Sequence, residues 1–244
     1  MIGIISAMQE EIQALLNELQ NVTATVKGMR NYYSGTLFNK KVVLVFSRWG
    51  KVASAATTTQ LINDFNVEEI IFTGVAGAIN HNLNIGDVII GKHLYQHDMD
   101  ASPLFEQFEI PIIKKKFIKT KDATQLIEAT NTFLNSYSNY INPIDAQNFN
   151  ILNPKVIFGD IASGDQFISS VEKIKSLNRI LPTAVCVEME GAAVAQVCFE
   201  YDTPFSIIRT ISDKANDNAT IDFPKFANSI ASNYALGILK NYFD

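Results

Sequence analysis

The chain has 244 residues, 47% of them hydrophobic, and a formal net charge of −5. Single α/β domains commonly run to about 200–250 residues, so one domain spanning 1–244 is expected. The acidic balance leaves no basic footprint for nucleic acid, and no apolar stretch reaches the roughly 18 residues that cross a membrane.

The first segment, Ile2–Ser6, reads as a strand, and Ile12, Leu15, Leu16 and Leu19 then fall at helical spacing within Met8–Leu19. Met1–Ile5 lacks the basic start and long apolar core of a signal peptide, so a soluble cytoplasmic protein is expected. Tyr32–Leu37 and Lys41–Ser47 flank Asn39-Lys40 as in a tight hairpin. Lys51–Phe65 is a helix rich in Ala and Thr. Glu69–Thr73 is a buried strand running into a glycine-rich turn, Gly74-Val75-Ala76-Gly77, and Ile85–Ile90 is a further strand. His93–Phe117 is irregular, with Pro103 and Pro111; a loop of that length in a compact domain is usually functional or an interface. Its basic run, Lys114–Lys116, reads as a solvated loop or strand end.

Asp122–Tyr137 is a helix, and Val156–Ala162 a strand from which Ser163-Gly164-Asp165 turns away. Val171–Leu177 is a short helix, Val185–Val187 a strand and Glu190–Tyr201 a buried helix. Phe205–Ile211 is a last strand, and Phe223–Tyr242 closes the chain as an amphipathic helix. Cys186 and Cys198 have neither metal-ligand nor disulfide-framework spacing and read as buried packing residues in a reducing compartment. Strands alternating with helices predict a three-layer α/β/α fold around a central mixed sheet.

Several apolar runs end in carboxylates, and strand ends are where open α/β folds bind ligands. Glu10 and Glu11 follow the first strand; they either complement a helix dipole or place one ionised base in a site. Glu188 and Glu190 bracket Met189 between apolar flanks, where an unpaired charge is costly. A helix cap, a salt bridge to Arg209 or a pair of ligand hydroxyls would satisfy them. Asp213, after Ser212, is either a turn cap or a buried acid with a raised pKa that donates to a ring nitrogen. Phe167 either packs into the core or stacks on a planar ring. The two glycines of 74–77 lack the spacing of a dinucleotide fingerprint.

Taken in order, these segments resemble the purine nucleoside phosphorylase/hydrolase superfamily, and within it the bacterial 5′-methylthioadenosine/S-adenosylhomocysteine nucleosidases. The resemblance runs from Ile4–Glu11 through Ser47–Val52, Thr73–Gly77, Tyr95–Asp100, Ser163–Ile168 and Val187–Glu190 to Arg209–Asp213, nearly the whole chain. It implies hydrolysis of an N-glycosidic bond, with Glu11 activating water and Asp213 protonating N7 of adenine. It places Glu190 on the ribose hydroxyls with Met189 beside it. Phe167 stacks on adenine, Ile168 bonds its edge through the backbone, and Ser212 accompanies the acid. Gly77 lies near the ribose and water, and Met8 lines the 5′-alkylthio pocket.

The resemblance also implies a 5′-thioadenosine substrate, no metal or cofactor, and a homodimer in which residues near Ala101–Pro111 complete the partner's site through Leu104 or Phe105. Phosphorylases of the superfamily hold phosphate with arginines, one of them at the position of Phe72 here, so water is the expected nucleophile. Val75 stands where many members have Ser, and Trp49 where an aliphatic residue is usual. The 5′ substituent (methylthio, homocysteinyl, 5′-deoxy or that of aminofutalosine) stays open.

Overall fold

A computed structural model describes residues 1–215 and 219–244. The strands are β1 (Ile2–Ser6), β2 (Gln20–Lys27), β3 (Arg30–Leu37), β4 (Lys40–Phe46), β5 (Glu69–Ala78), β6 (Val88–Gln96), β7 (Ile118–Lys119), β8 (Val156–Ser163), β9 (Ala184–Glu188) and β10 (Phe205–Asp213). The helices are α1 (Gln13–Glu18), α2 (Lys51–Phe65), α3 (Thr124–Leu134), α4 (Pro143–Asn148), α5 (Val171–Ile180), α6 (Gly191–Glu200), α7 (Ala219–Phe226) and α8 (Ser232–Phe243). A wide π-type turn, Ala227–Ala231, joins the last two helices.

The sheet is mixed. β1 pairs in parallel with β4 and β5, and β10 with β5. β6, β8 and β9 form a second parallel set. The two sets run in opposite senses and meet at two antiparallel seams: Ile208–Thr210 of β10 pair with Val88–Ile90 of β6, and, at the carboxyl ends of both strands, Gly77 and Ala78 of β5 pair with Val187 and Cys186 of β9. The carboxyl ends of both sets therefore converge at one place.

Alternation along the strands divides the core between the two faces. Ile4, Val42, Leu44 and Ile71 join one apolar cluster with Ile12 and Leu15 of the α1 region, Phe133 of α3 and Ile238 of α8. Ile5, Val43, Val45 and Phe72 join the other with Leu61 of α2 and Val194 and Cys198 of α6. Successive strand side chains point to opposite faces, so each buried run feeds both layers. The result is the expected α/β/α sandwich.

Local departures from the sequence reading have physical causes. The helix starts at Gln13, not at Met8; before it lies a single i→i+3 turn from Gln9 to Ile12, the Ala7 and Met8 N–H groups bond the Glu11 side chain, and Glu11 precedes α1. Gln20–Lys27 is a strand that hydrophobic patterning does not show, because it is an edge strand exposed along most of its length. The hairpin turn sits one residue earlier than expected, at Phe38 and Asn39, both at positive φ. The segment Gly74–Gly77 is the interior of β5, not a turn. The last helical region begins at Ala219, ahead of Phe223. Lys114–Lys116 is exposed, with Lys116 paired to Glu106. Cys186 and Cys198 are buried free thiols, with burial pushing both pKa values up.

Candidate active site

A cleft, open to solvent on one side and lined mostly by apolar and carboxylate side chains, lies where the strand ends converge. Met8 and Glu11 enter it after β1, Gly77 from β5, Phe167 and Ile168 after β8, Met189 and Glu190 after β9, and Ser212 and Asp213 from β10. Every residue expected at the site from sequence lies there. Glu10 is exposed instead, which leaves Glu11 as the cleft carboxylate of that pair.

Glu11 is buried and held by four donors. Its Oε2 accepts from the Ser6 hydroxyl, and the Ala7 and Met8 N–H groups donate to the same oxygen at 3.0 Å. Its Oε1 accepts from the Val75 N–H at 3.1 Å. Burial pushes its pKa up, while the Ser6 hydroxyl, Arg209 and the Met8 and Val75 N–H groups pull it back. Valine at position 75 thus supplies its backbone donor although it has no hydroxyl. A Cβ on Gly74 would lie 2.9 Å from Oε1, so the bare glycine makes room for the carboxylate.

Asp213 owes its position to a bulge. The β10–β5 register passes from Ile211–Ala76 to Asp213–Gly77, so Ser212 is the extra residue, and bulges of this kind re-aim side chains beside functional sites. The Ser212 hydroxyl donates to Oδ2 at 2.8 Å and the Ala215 N–H to Oδ1 at 2.7 Å. A Cβ on Gly77 would approach Oδ1 to 2.9 Å, again requiring glycine. Burial raises the Asp213 pKa against those two hydrogen bonds, which keeps a proton on it to higher pH than an exposed aspartate would hold.

The two glutamates around Met189 separate by role. Glu188 is structural: it takes Arg209 Nη2 at 2.7 Å and Nε at 3.2 Å, the Ser163 hydroxyl, and the Glu190 and Gly191 N–H groups that open α6. Arg209 in turn lies 4.1 Å over the Phe72 ring and donates to two carbonyls. A buried charge pair this fully hydrogen-bonded is the arrangement that offsets desolvation. Glu190 receives one donor, the Gly50 N–H at 2.7 Å. Burial and the Glu188 charge push its pKa up to about 8. Its unfilled acceptor capacity faces a cleft where a pair of ligand hydroxyls would satisfy it and favour the ionised form.

An aromatic wall completes the cleft. Phe167, 39% exposed, meets Phe223 edge-on at 5.8 Å, and Trp49, 55% exposed, meets the same ring at 6.0 Å. Phe223 escapes the sequence reading: its one signal is an aromatic in a helix that follows the Asp213 strand. Among the described residues lining the cleft there is no Lys, Arg or His, and Arg209 is committed to Glu188. Among the described residues, no three His, Cys, Asp or Glu side chains are grouped as a metal site requires.

The phosphorylase superfamily model matches residues 1–244. A 5′-methylthioadenosine/S-adenosylhomocysteine nucleosidase of Staphylococcus aureus (strain bovine RF122 / ET3-1) is 38% identical over 95% of this chain and 94% of its own length. The crystal structure of such a nucleosidase from Neisseria meningitidis with methylthio-immucillin-A superposes with a TM-score of 0.85 at 32% identity, covering 99% of this chain and 97% of that one. Futalosine hydrolase of Helicobacter pylori strain 26695 superposes at 0.83 with 33% identity, covering 99% and 96%. The chain is a member of the 5′-methylthioadenosine/S-adenosylhomocysteine nucleosidase family within the phosphorylase superfamily.

Proposed function

We propose that the chain, working as one domain over 1–244, hydrolyses the N-glycosidic bond of 5′-methylthioadenosine and S-adenosylhomocysteine. The products are adenine and methylthioribose or S-ribosylhomocysteine. The observation that carries this reading is the pairing of Glu11 and Asp213 in one cleft whose described lining has no cation. Asp213 gives its proton to N7, so the electron pair of the breaking C1′–N9 bond enters a neutral leaving purine. The ribosyl carbon takes on oxocarbenium character, and Glu11 removes a proton from the water that attacks it. Glu190 accepts the ribose hydroxyls beside Met189, and Gly77 lets the backbone approach the reacting centre. Phe167 stacks on the base, Ile168 bonds its edge and Ser212 orients the acid. Met8 borders the 5′ substituent. A phosphate dianion would find no cation here, which favours water as nucleophile.

Adenine should therefore form from 5′-methylthioadenosine in phosphate-free buffer at an unchanged rate when phosphate is added. Release that depends on phosphate, with a ribose 1-phosphate product, would overturn hydrolysis. The likeness to futalosine hydrolase makes aminofutalosine the second substrate for the same assay. A rate on it well above that on methylthioadenosine would reassign the 5′ pocket.

The enzyme is further proposed to be a cytoplasmic homodimer, with residues of 101–111 reaching the partner's site. Leu104 and Ile112, 84% and 93% exposed, are apolar side chains that a partner would cover. Among the described residues no helix is long and apolar enough to cross a membrane. Light scattering should give twice the chain mass; a monomer at assay concentration would refute the shared site.

A further inference from the structure

The motif Gln96-His97-Asp98 at the end of β6 does not line the cleft, yet it is packed beneath the loop that does. Asp98 accepts from Lys51 Nζ at 2.6 Å through Oδ1 and from the Asp165 N–H at 2.9 Å through Oδ2. Asp165 is held a second time, its Oδ1 taking the Lys51 N–H at 2.8 Å. Lys51 Nζ also donates to Gln96 Oε1 at 3.1 Å, and Gln96 donates to Gln196 of α6 at 2.7 Å. The His97 N–H donates to the Ser163 carbonyl at 2.9 Å, and its buried ring packs against Gly164.

Phe167 lies two residues beyond Asp165. Its ring is substantially exposed and touches Phe223 edge-on, so core packing does not fix it. What fixes it is the loop backbone, and that backbone is pinned at Asp165. The same first turn of α2 offers its neighbouring N–H, from Gly50, to Glu190. The α2 terminus thus anchors both the base-stacking loop and the carboxylate proposed to hold the ribose.

We propose that Asp98 is a positioning residue for the base site: with Lys51 it clamps Asp165 and so sets where Phe167 meets the purine. The inference rests on the base-stacking reading of Phe167. Glu11 and Asp213 stand on other elements, so loosening the clamp weakens binding of base and substrate alike while the chemistry of bound substrate persists. Uniform loss of binding raises KM and leaves kcat in place.

The test measures adenine affinity by calorimetry and steady-state hydrolysis of methylthioadenosine for wild type, Asp98→Asn, Asp98→Glu and Lys51→Met. Asp98→Asn and Lys51→Met are each expected to weaken adenine binding and raise KM about tenfold, with kcat within threefold. Asp98→Glu, which keeps the carboxylate, should recover most of the affinity. Wild-type adenine affinity and KM in Asp98→Asn would overturn the proposal, as would a fall in kcat at unchanged KM. If Asp98→Asn does not fold, Lys51→Met decides by the same criteria. A wild-type protein that binds no adenine would instead remove the base-stacking reading itself.

Discussion

Asp213→Asn is expected to lower kcat for adenine release about a thousandfold while the chain still folds, in line with the roughly 10²–10⁴ typical of a positioned acid. Adenine expelled as an anion is a poor leaving group, and the cleft contains no cation among its described lining residues to stabilise that charge. The proton must come from a side chain. Burial keeps one on Asp213 by raising its pKa, and the wild-type rate should fall as pH rises through that raised value. Asparagine retains an oxygen for the Ala215 N–H but has no acidic proton. The stability effect has the opposite sense. Between the ordinary and the raised pKa the native wild type binds more protons than the unfolded chain, so it loses stability as pH rises across that window. The variant lacks this loss, and its melting temperature at pH 8 should equal or exceed the wild-type value. Near-normal turnover would refute the acid role; a large drop in melting temperature would mark Asp213 as structural.

Glu11→Gln should cost a comparable factor, about 10²–10⁴ in kcat, for the complementary reason. A neutral amide cannot take a proton from water. The base must be ionised, so on the acid side the wild-type rate should rise with pH through the burial-raised pKa of Glu11. The carboxylate meets donors at both oxygens, and an amide NH₂ has to face one of them. With the oxygen turned toward Ala7 and Met8, the Val75 N–H loses its acceptor, at a cost of about 1–3 kcal/mol. Adenine affinity should change little, because Glu11 does not touch the proposed base site. Calorimetry alongside single-turnover kinetics separates the two: lost affinity at retained kcat would place Glu11 in binding rather than in water activation.

The sandwich and its mixed sheet were legible because most core strands are short, continuous apolar runs buried on both faces, separated by helix-forming segments. β2 was not, because Gln20–Lys27 is mostly exposed and has no buried stripe to detect. The glycines of β5 resemble a turn in sequence, yet they serve as gaps beneath two carboxylates, a fact of tertiary distance. Glu188 and Glu190 are chemically alike in sequence; only the position of Arg209 assigns the first to the scaffold. The bulge at Ser212 that aims Asp213 depends on pairing with β5 and leaves no local mark. Phe223 belongs to the site only because α7 returns to the cleft.

Trp49 is the only tryptophan in the chain, and it stands at the cleft against Phe223, one residue before the N–H that holds Glu190. Its indole emission therefore originates at the cleft alone, with no background from a second fluorophore of its kind. Shielding that half-exposed ring from water shifts its spectrum, so occupancy of the cleft can be followed by unlabelled protein in stopped flow, separating ligand arrival from bond cleavage.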